Sequence, residues 1–238
     1  MPQLPGIREL WRRCVEPRAA FARRASEAPS LGSSCRNLLL LRAPVEAAGQ
    51  LLGFLLLASA WAELRACRGP AALVAEALGP EQAEGLRELL AALPALPPAA
   101  RVLPWIPPLA VLAVLGLWLH HTVWDHMMLM LLGGLRERRD WRSSFIAEAE
   151  ALQAGTLGAL AGLLGRVPVL GWLLALPLGL LGLWFWALRG FALAAWHGCP
   201  AWKGVLATAL HLVLLPVLAL LLLGAAVLLA LALAGMAC

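Results

Sequence analysis

The chain has 238 residues, 61% of them apolar and 14% charged, with a mean hydropathy of +0.79. A water-soluble domain is about 45–50% apolar and about 25% charged, so one soluble core cannot hide this much apolar surface, and the composition points to an all-α integral membrane protein. The net charge of +5 rests on 18 Arg and one Lys against 14 acids. These charges are clustered, so they report topology and argue against a nucleic-acid-binding surface.

In chain order, residues 1–36 form a basic amphipathic segment, expected in the cytoplasm. From Gly6 to Ala28, Ile7, Leu10, Trp11, Cys14 and Val15 recur at helical spacing, with Arg8, Arg12, Arg13 and Arg18 opposite. That is the pattern of a helix lying in the membrane interface. No apolar h-region separates the arginines, so no signal peptide is expected. Residues 37–238 form the membrane domain. About 20 apolar residues cross a bilayer core of about 30 Å, and five runs qualify: 43–62, with Glu46 near its start, then 108–132, 145–165, 167–188 and 205–232. Glu148 and Glu150 make the third the weakest. The second is preceded by the amphipathic stretch Pro80 to Leu93 and a proline-rich connection.

Prolines and glycines mark the boundaries. Pro104, Pro107 and Pro108 suit the start of the second span, and Gly133 and Gly134 suit its C-terminal cap. Arg166, Val167 and Pro168 leave room only for a tight turn between the third and fourth spans. Pro200 opens the fifth after the turn His197, Gly198, Cys199, while Pro177 and Pro216 fall inside spans and are expected to kink them. Small residues at Ala154, Gly158 and Gly162, and at Gly179 and Gly182, suggest faces of close helix approach. Tryptophans 105, 172, 184, 186, 196 and 202 fall largely near span ends, as interfacial anchors should. Counting Lys and Arg on alternate sides of the five spans gives 14 against 5, which predicts a cytoplasmic N-terminus and an outside C-terminus in a cell membrane. Cys14, Cys35, Cys67, Cys199 and Cys238 are an odd set with no C-x-x-C, which argues against a disulfide scaffold or zinc module.

Ionisable residues at membrane depth carry the functional question, since inserting one costs roughly 2.5–3.5 kcal/mol. His120, His121, Asp125 and His126 lie late in the second span. At about 100° per residue the three histidines diverge around the helix, so one helix cannot offer them to one metal. Only His121 and Asp125, at i and i+4, share a face and are expected to pair. His197 and His211 look isolated. Glu46, Glu148, Glu150, Arg189 and His211 fall at a similar depth on the cytoplasmic side, whereas the outer halves are almost wholly Leu, Ala, Gly and Val. No phosphate loop, nucleophile motif or Ser, His and Asp set appears, so no cofactor, no metal and no enzymatic reaction are expected.

From His126 onward the order is a histidine, an apolar turn, the pair Gly133 and Gly134, and a polar segment from Trp141 to Phe145. An Ala-rich span follows, then Val167, Pro168, Gly171 and Trp172, a span ending near Arg189 and Gly190, the turn Trp196, His197, Gly198, and Trp202, Lys203, Gly204. Together with an arginine-rich start at Glu16, Pro17 and Phe21, this resembles the bacterial branch of the Yip1-domain family, over most of the chain. The resemblance implies a cytoplasmic N-terminus, five spans and a non-enzymatic, membrane-organising or partner-binding role. Eukaryotic members are associated with Rab GTPases and vesicle traffic, but their acidic, tyrosine-containing motif is missing here, where there is no Tyr. The expected partners are the bilayer and another membrane protein or a second copy, with Glu46, His121, Asp125, His126 and His197 as candidate binding residues. The competing expectations are a small transporter or permease subunit with a site near Glu46, His121 and Asp125, and a membrane metalloenzyme.

Overall fold

The computed structural model describes residues 4–136 and 140–236, with the backbone alone at 215, 218, 219, 222 and 226–236. Cys238 lies outside the described residues, among which there is no strand. The N-terminal segment is two helices, α1 (Ile7–Val15) and α2 (Pro17–Ser26). Pro17 cannot donate an N–H and pushes Glu16 out of helical geometry, to φ −124° and ψ 57°. The expected partition of faces fails at Arg13, which is buried beside Leu10 and Cys14, while Ile7, Trp11 and Val15 are exposed.

Helix α3 (Leu31–Arg65) begins at Ser30, whose hydroxyl accepts the Ser33 N–H at 3.1 Å. It therefore starts 12 residues before the expected span and runs through Pro44. Two short helices follow, α4 (Pro70–Leu78) and α5 (Pro80–Ala91), each opened by proline and separated by Gly79 at φ +89°. After the single turn α6 (Ala99–Val102), α7 (Ile106–Leu131) carries Pro107 and Pro108 in its first turn. It ends at Gly133, φ +59°, with the Gly134 N–H donating to the Leu129 carbonyl at 2.9 Å.

Helix α8 (Trp141–Gly165) starts earlier than expected because Asp140 caps it, accepting the Ser143 N–H at 3.0 Å. The fourth expected span is displaced. A short α9 (Pro168–Leu173) folds back so closely that a Cβ at Gly171 would lie 2.2 Å from the Gly165 carbonyl oxygen. The long helix α10 (Ala175–His197) starts after it, which puts Pro177 in a first turn, where no kink is needed. Helix α10 ends on Gly198 at φ +64°, and α11 (Ala201–Met236) continues through Pro216.

Among the described residues, three stretches are long and apolar enough to cross a membrane: Leu31–Leu78, Ala99–Leu131 and Ala175–His197. Helix α8 matches them in length but carries Glu148, Glu150 and Gln153. It is the central helix, packed on α3, α7 and α10, while α11 packs on α10 and α7. Burial concentrates at one end of this bundle, where α7 and α10 end and α8 and α11 begin, around Leu129, Ala147, Ala151, Leu188, Leu193 and Ala207. Towards the other end Leu160, Leu164, Leu176, Leu180 and Leu183 are exposed.

The small residues divide into two groups. A Cβ at Gly158 would lie 2.2 Å from the Phe185 ring, whereas Gly162, Gly179 and Gly182 have nothing within 4 Å and so are not close-approach positions. The tightest helix crossing lies elsewhere. At Gly190 a Cβ would fall 2.4 Å from Val205 Cα, and at Gly204 it would fall 2.0 Å from the Gly190 carbonyl oxygen. Among the tryptophans, 105, 172 and 202 are exposed near helix ends, but Trp184 donates its indole N–H to the Cys14 carbonyl at 3.0 Å and fastens α1 to α10.

Candidate functional site: a buried polar end of the helix bundle

Four helices each send one ionisable side chain to the same buried point. Arg189 of α10 donates to Asp125 of α7 and, from Nε at 3.0 Å, to Glu148 of α8. Asp125 also takes an N–H from His211 Nδ1 of α11 at 2.5 Å. Asp125, Glu148 and His211 are fully buried and Arg189 is 4% exposed. Desolvating these charges costs several kcal/mol per ion, and it is repaid only because the guanidinium bridges two carboxylates in one geometry. The guanidinium also lies over the Trp186 ring, 4.3 Å from its centroid. The fourth expected span, 167–188, ends one residue short of Arg189 and puts it at the cytoplasmic edge. The helix in fact meets no breaker until Gly198, and that uninterrupted run is the signal that Arg189 lies inside.

The expected His121–Asp125 pair does not form. Both side chains are on the same face and buried, but Asp125 is held by a permanent cation and by an imidazole from two other helices. Against these a neutral imidazole on its own helix cannot compete. The His121 ring instead lies edge-on to Trp186 at 5.3 Å and 5.5 Å from the His211 ring, and its Nδ1 is buried with no hydrogen-bond partner. Spacing along α7 alone could not disclose that a third imidazole arrives from α11. Glu46 is half-buried in α3, one turn beyond Arg42, and takes no part in this junction.

A second junction holds the N-terminal segment. Glu150, fully buried on α8, pairs with Arg13 of α1 at 2.8 Å and Arg24 of α2 at 3.1 Å. It also accepts the Ser34 hydroxyl of α3 at 2.6 Å. Although burial opposes it, the Glu150 and Glu27 carboxylates push Arg24 further above the usual arginine range. Burial pushes the neighbouring Cys14 thiol up. Arg13 shares the i, i+3, i+4 face of Leu10 and Cys14, so its inward direction was present in the periodicity.

The third junction joins His126 and His197, which looked unrelated in the sequence. The Ser144 hydroxyl lies 2.8 Å from His126 Nδ1 and 2.8 Å from His197 Nε2. One hydroxyl has one proton, so it donates to one ring and accepts from the other, fixing opposite roles on the two imidazoles. Trp141 stacks on His126 at 3.8 Å. Beside the first junction, a cavity of about 320 Å³ opens between α8 and α10. Arg42, His121 and Arg189 line its polar end, and the rest is Leu, Ala, Gly and aromatic surface.

Comparison of the chain with protein-family models, with curated proteins and with solved structures gave no match.

Proposed function

We propose that this chain is a non-enzymatic, multi-pass membrane protein of the Yip1 type, with five spans, a cytoplasmic N-terminus and an outside C-terminus. It acts by binding, at a cytoplasmic face that α1 and α2 complete. The observation that carries this reading is the Glu150 junction. It draws two arginines of the N-terminal segment into the bundle and so leaves Ile7, Trp11 and Val15, with Arg8 and Arg12, turned outward. An exposed apolar stripe flanked by arginines suits the bilayer interface and a partner seated in it. The three junctions tie helices to each other with buried polar groups, which suits a rigid docking platform. The basic asymmetry supports the orientation, and it persists when the inward-facing Arg13 and Arg189 are set aside.

A second reading, a small transporter or permease subunit, is favoured by the cavity at Arg42, His121 and Arg189. Glu46 and Asp125 are not among its lining residues, and its remaining wall is apolar, so it suits a bound amphipath better than an ion path. A photo-crosslinking side chain in place of Trp11, activated in native membranes, separates the readings. Adducts with a membrane protein of defined mass are expected at position 11, and none with that protein at the exposed Leu89 of α5. Lipid adducts alone would reduce the N-terminal face to a membrane anchor.

A further inference from the structure

We propose that His120, His121 and His211 form a binding site for one divalent transition-metal ion where α7 meets α11. One ring nitrogen of each imidazole lies within 4.8 Å of the other two. The nearest pair, His120 Nε2 and His211 Nε2, are 3.3 Å apart. Ligands about 2.0 Å from a tetrahedral zinc-sized ion stand about 3.3 Å from one another, so this pair already has the spacing of two ligands. Bringing the widest separation to that edge takes a shift of about 1.5 Å, within reach of a change in side-chain torsions.

The surroundings prepare these nitrogens for a metal. His211 Nδ1 lies 2.5 Å from Asp125 Oδ1, and in the tautomer that donates its N–H to this carboxylate the neutral ring keeps a lone pair on Nε2, the atom that faces His120. This is the carboxylate–histidine arrangement that orients metal ligands and raises their basicity. Trp124 stacks on the His211 ring at 6.0 Å and Trp186 meets it edge-on at 5.2 Å, which fixes its plane. His121 is buried, yet its Nδ1 has no hydrogen-bond partner, an unsatisfied donor or acceptor in a region where most polar groups are paired. Arg189 stands close by and opposes a cation. The Asp125 and Glu148 carboxyl groups that hold its guanidinium offset that charge.

Three imidazoles and no oxygen ligand select zinc, cobalt, nickel or copper over calcium or magnesium. Three protein ligands leave a fourth position, and because His121 also lines the 320 Å³ cavity, a water or small ligand can occupy it. His126 and His197, held on Ser144, stay outside the set. The site does not depend on the partner-binding role proposed above.

The test is a titration of the purified, chelator-stripped protein in detergent with Co²⁺ and then Zn²⁺. One Co²⁺ per chain is expected, with the strong visible absorption of four-coordinate cobalt, displaced by one Zn²⁺, and Zn²⁺ is expected to raise the melting temperature. His120→Ala, which removes the partly exposed ligand and spares the Asp125–Arg189–Glu148 contacts, should weaken binding by about 100-fold or more and abolish the zinc-dependent rise in melting temperature, whatever it does to metal-free melting. His120→Gln keeps the size of the side chain and gives the same readout if alanine lowers the folded yield. Cys199→Ser should leave the titration as it is. The proposal is overturned if no stoichiometric Co²⁺ binds, or if both His120 variants bind it as tightly as the wild type.

Discussion

Replacing Arg189 with methionine should destabilise the protein by about 3–5 kcal/mol, or prevent its folded recovery in detergent, because the change strands two carboxylates without their cation. Asp125 and Glu148 are both fully buried and meet on that one guanidinium. The single substitution removes the partner but not the charge, which is the costly way to break a buried ion pair. Taking out all three charges together, with Arg189→Met, Asp125→Leu and Glu148→Met, removes the stranded charge as well as the bond. The triple variant should therefore melt well above Arg189→Met. Thermal unfolding in one detergent compares them directly. If the triple variant fell below the single one, the junction would owe its stability to shape and not to charge balance.

Gly190 should be among the most restrictive positions in the helix packing. Helices α10 and α11 cross there with backbone against backbone, and a methyl group at Gly190 would lie within 2.6 Å of three backbone atoms of Gly204 and Val205. No side chain is available to move aside, so Gly190→Ala must separate the helices. The expected cost is at the upper end of the roughly 1–3 kcal/mol seen for overpacking, and larger for Gly190→Val. Gly179→Ala on the same helix is the matched control. Nothing lies within 4 Å of its added carbon, and replacing a helical glycine there should stabilise by about 0.5–1 kcal/mol. Melting temperatures that moved equally for the two would contradict the crossing.

The contrast shows what a one-dimensional pattern can disclose. Helix ends were legible at several positions where a residue type dictates backbone geometry: Gly133 and Gly198 in the left-handed region, and proline in the first turn of α5 and α7, whereas α4, opened by Pro70, was not read. The break at Glu16 and Pro17 and the fold-back at Gly171 were not read. The first needed proline's effect on its neighbour, and the second depends on the carbonyl of Gly165, a contact between helices. Of the site, the depth of Asp125, Glu148 and Arg189 followed from counting along helices, but their partners did not. The i, i+4 rule names neighbours on one helix, whereas here every decisive contact joins two: Asp125 with Arg189, His126 with His197 through Ser144, His120 with His211, and Glu150 with Arg13.

The claim on which the binding role rests is that the N-terminal helices are held to the bundle by a charge buried inside it. Trp11 of α1 and Leu160 of α8 line one groove, so spin labels at these two positions report the docking of α1 directly. In a cysteine-free chain reconstituted in bilayers, a short and narrow distance distribution is expected for the wild-type junction. Glu150→Gln, which leaves Arg13 and Arg24 without their shared carboxylate, is expected to broaden it and shift it to longer distances. A distribution that is already broad in the wild type, or one that stays narrow in Glu150→Gln, would contradict the claim.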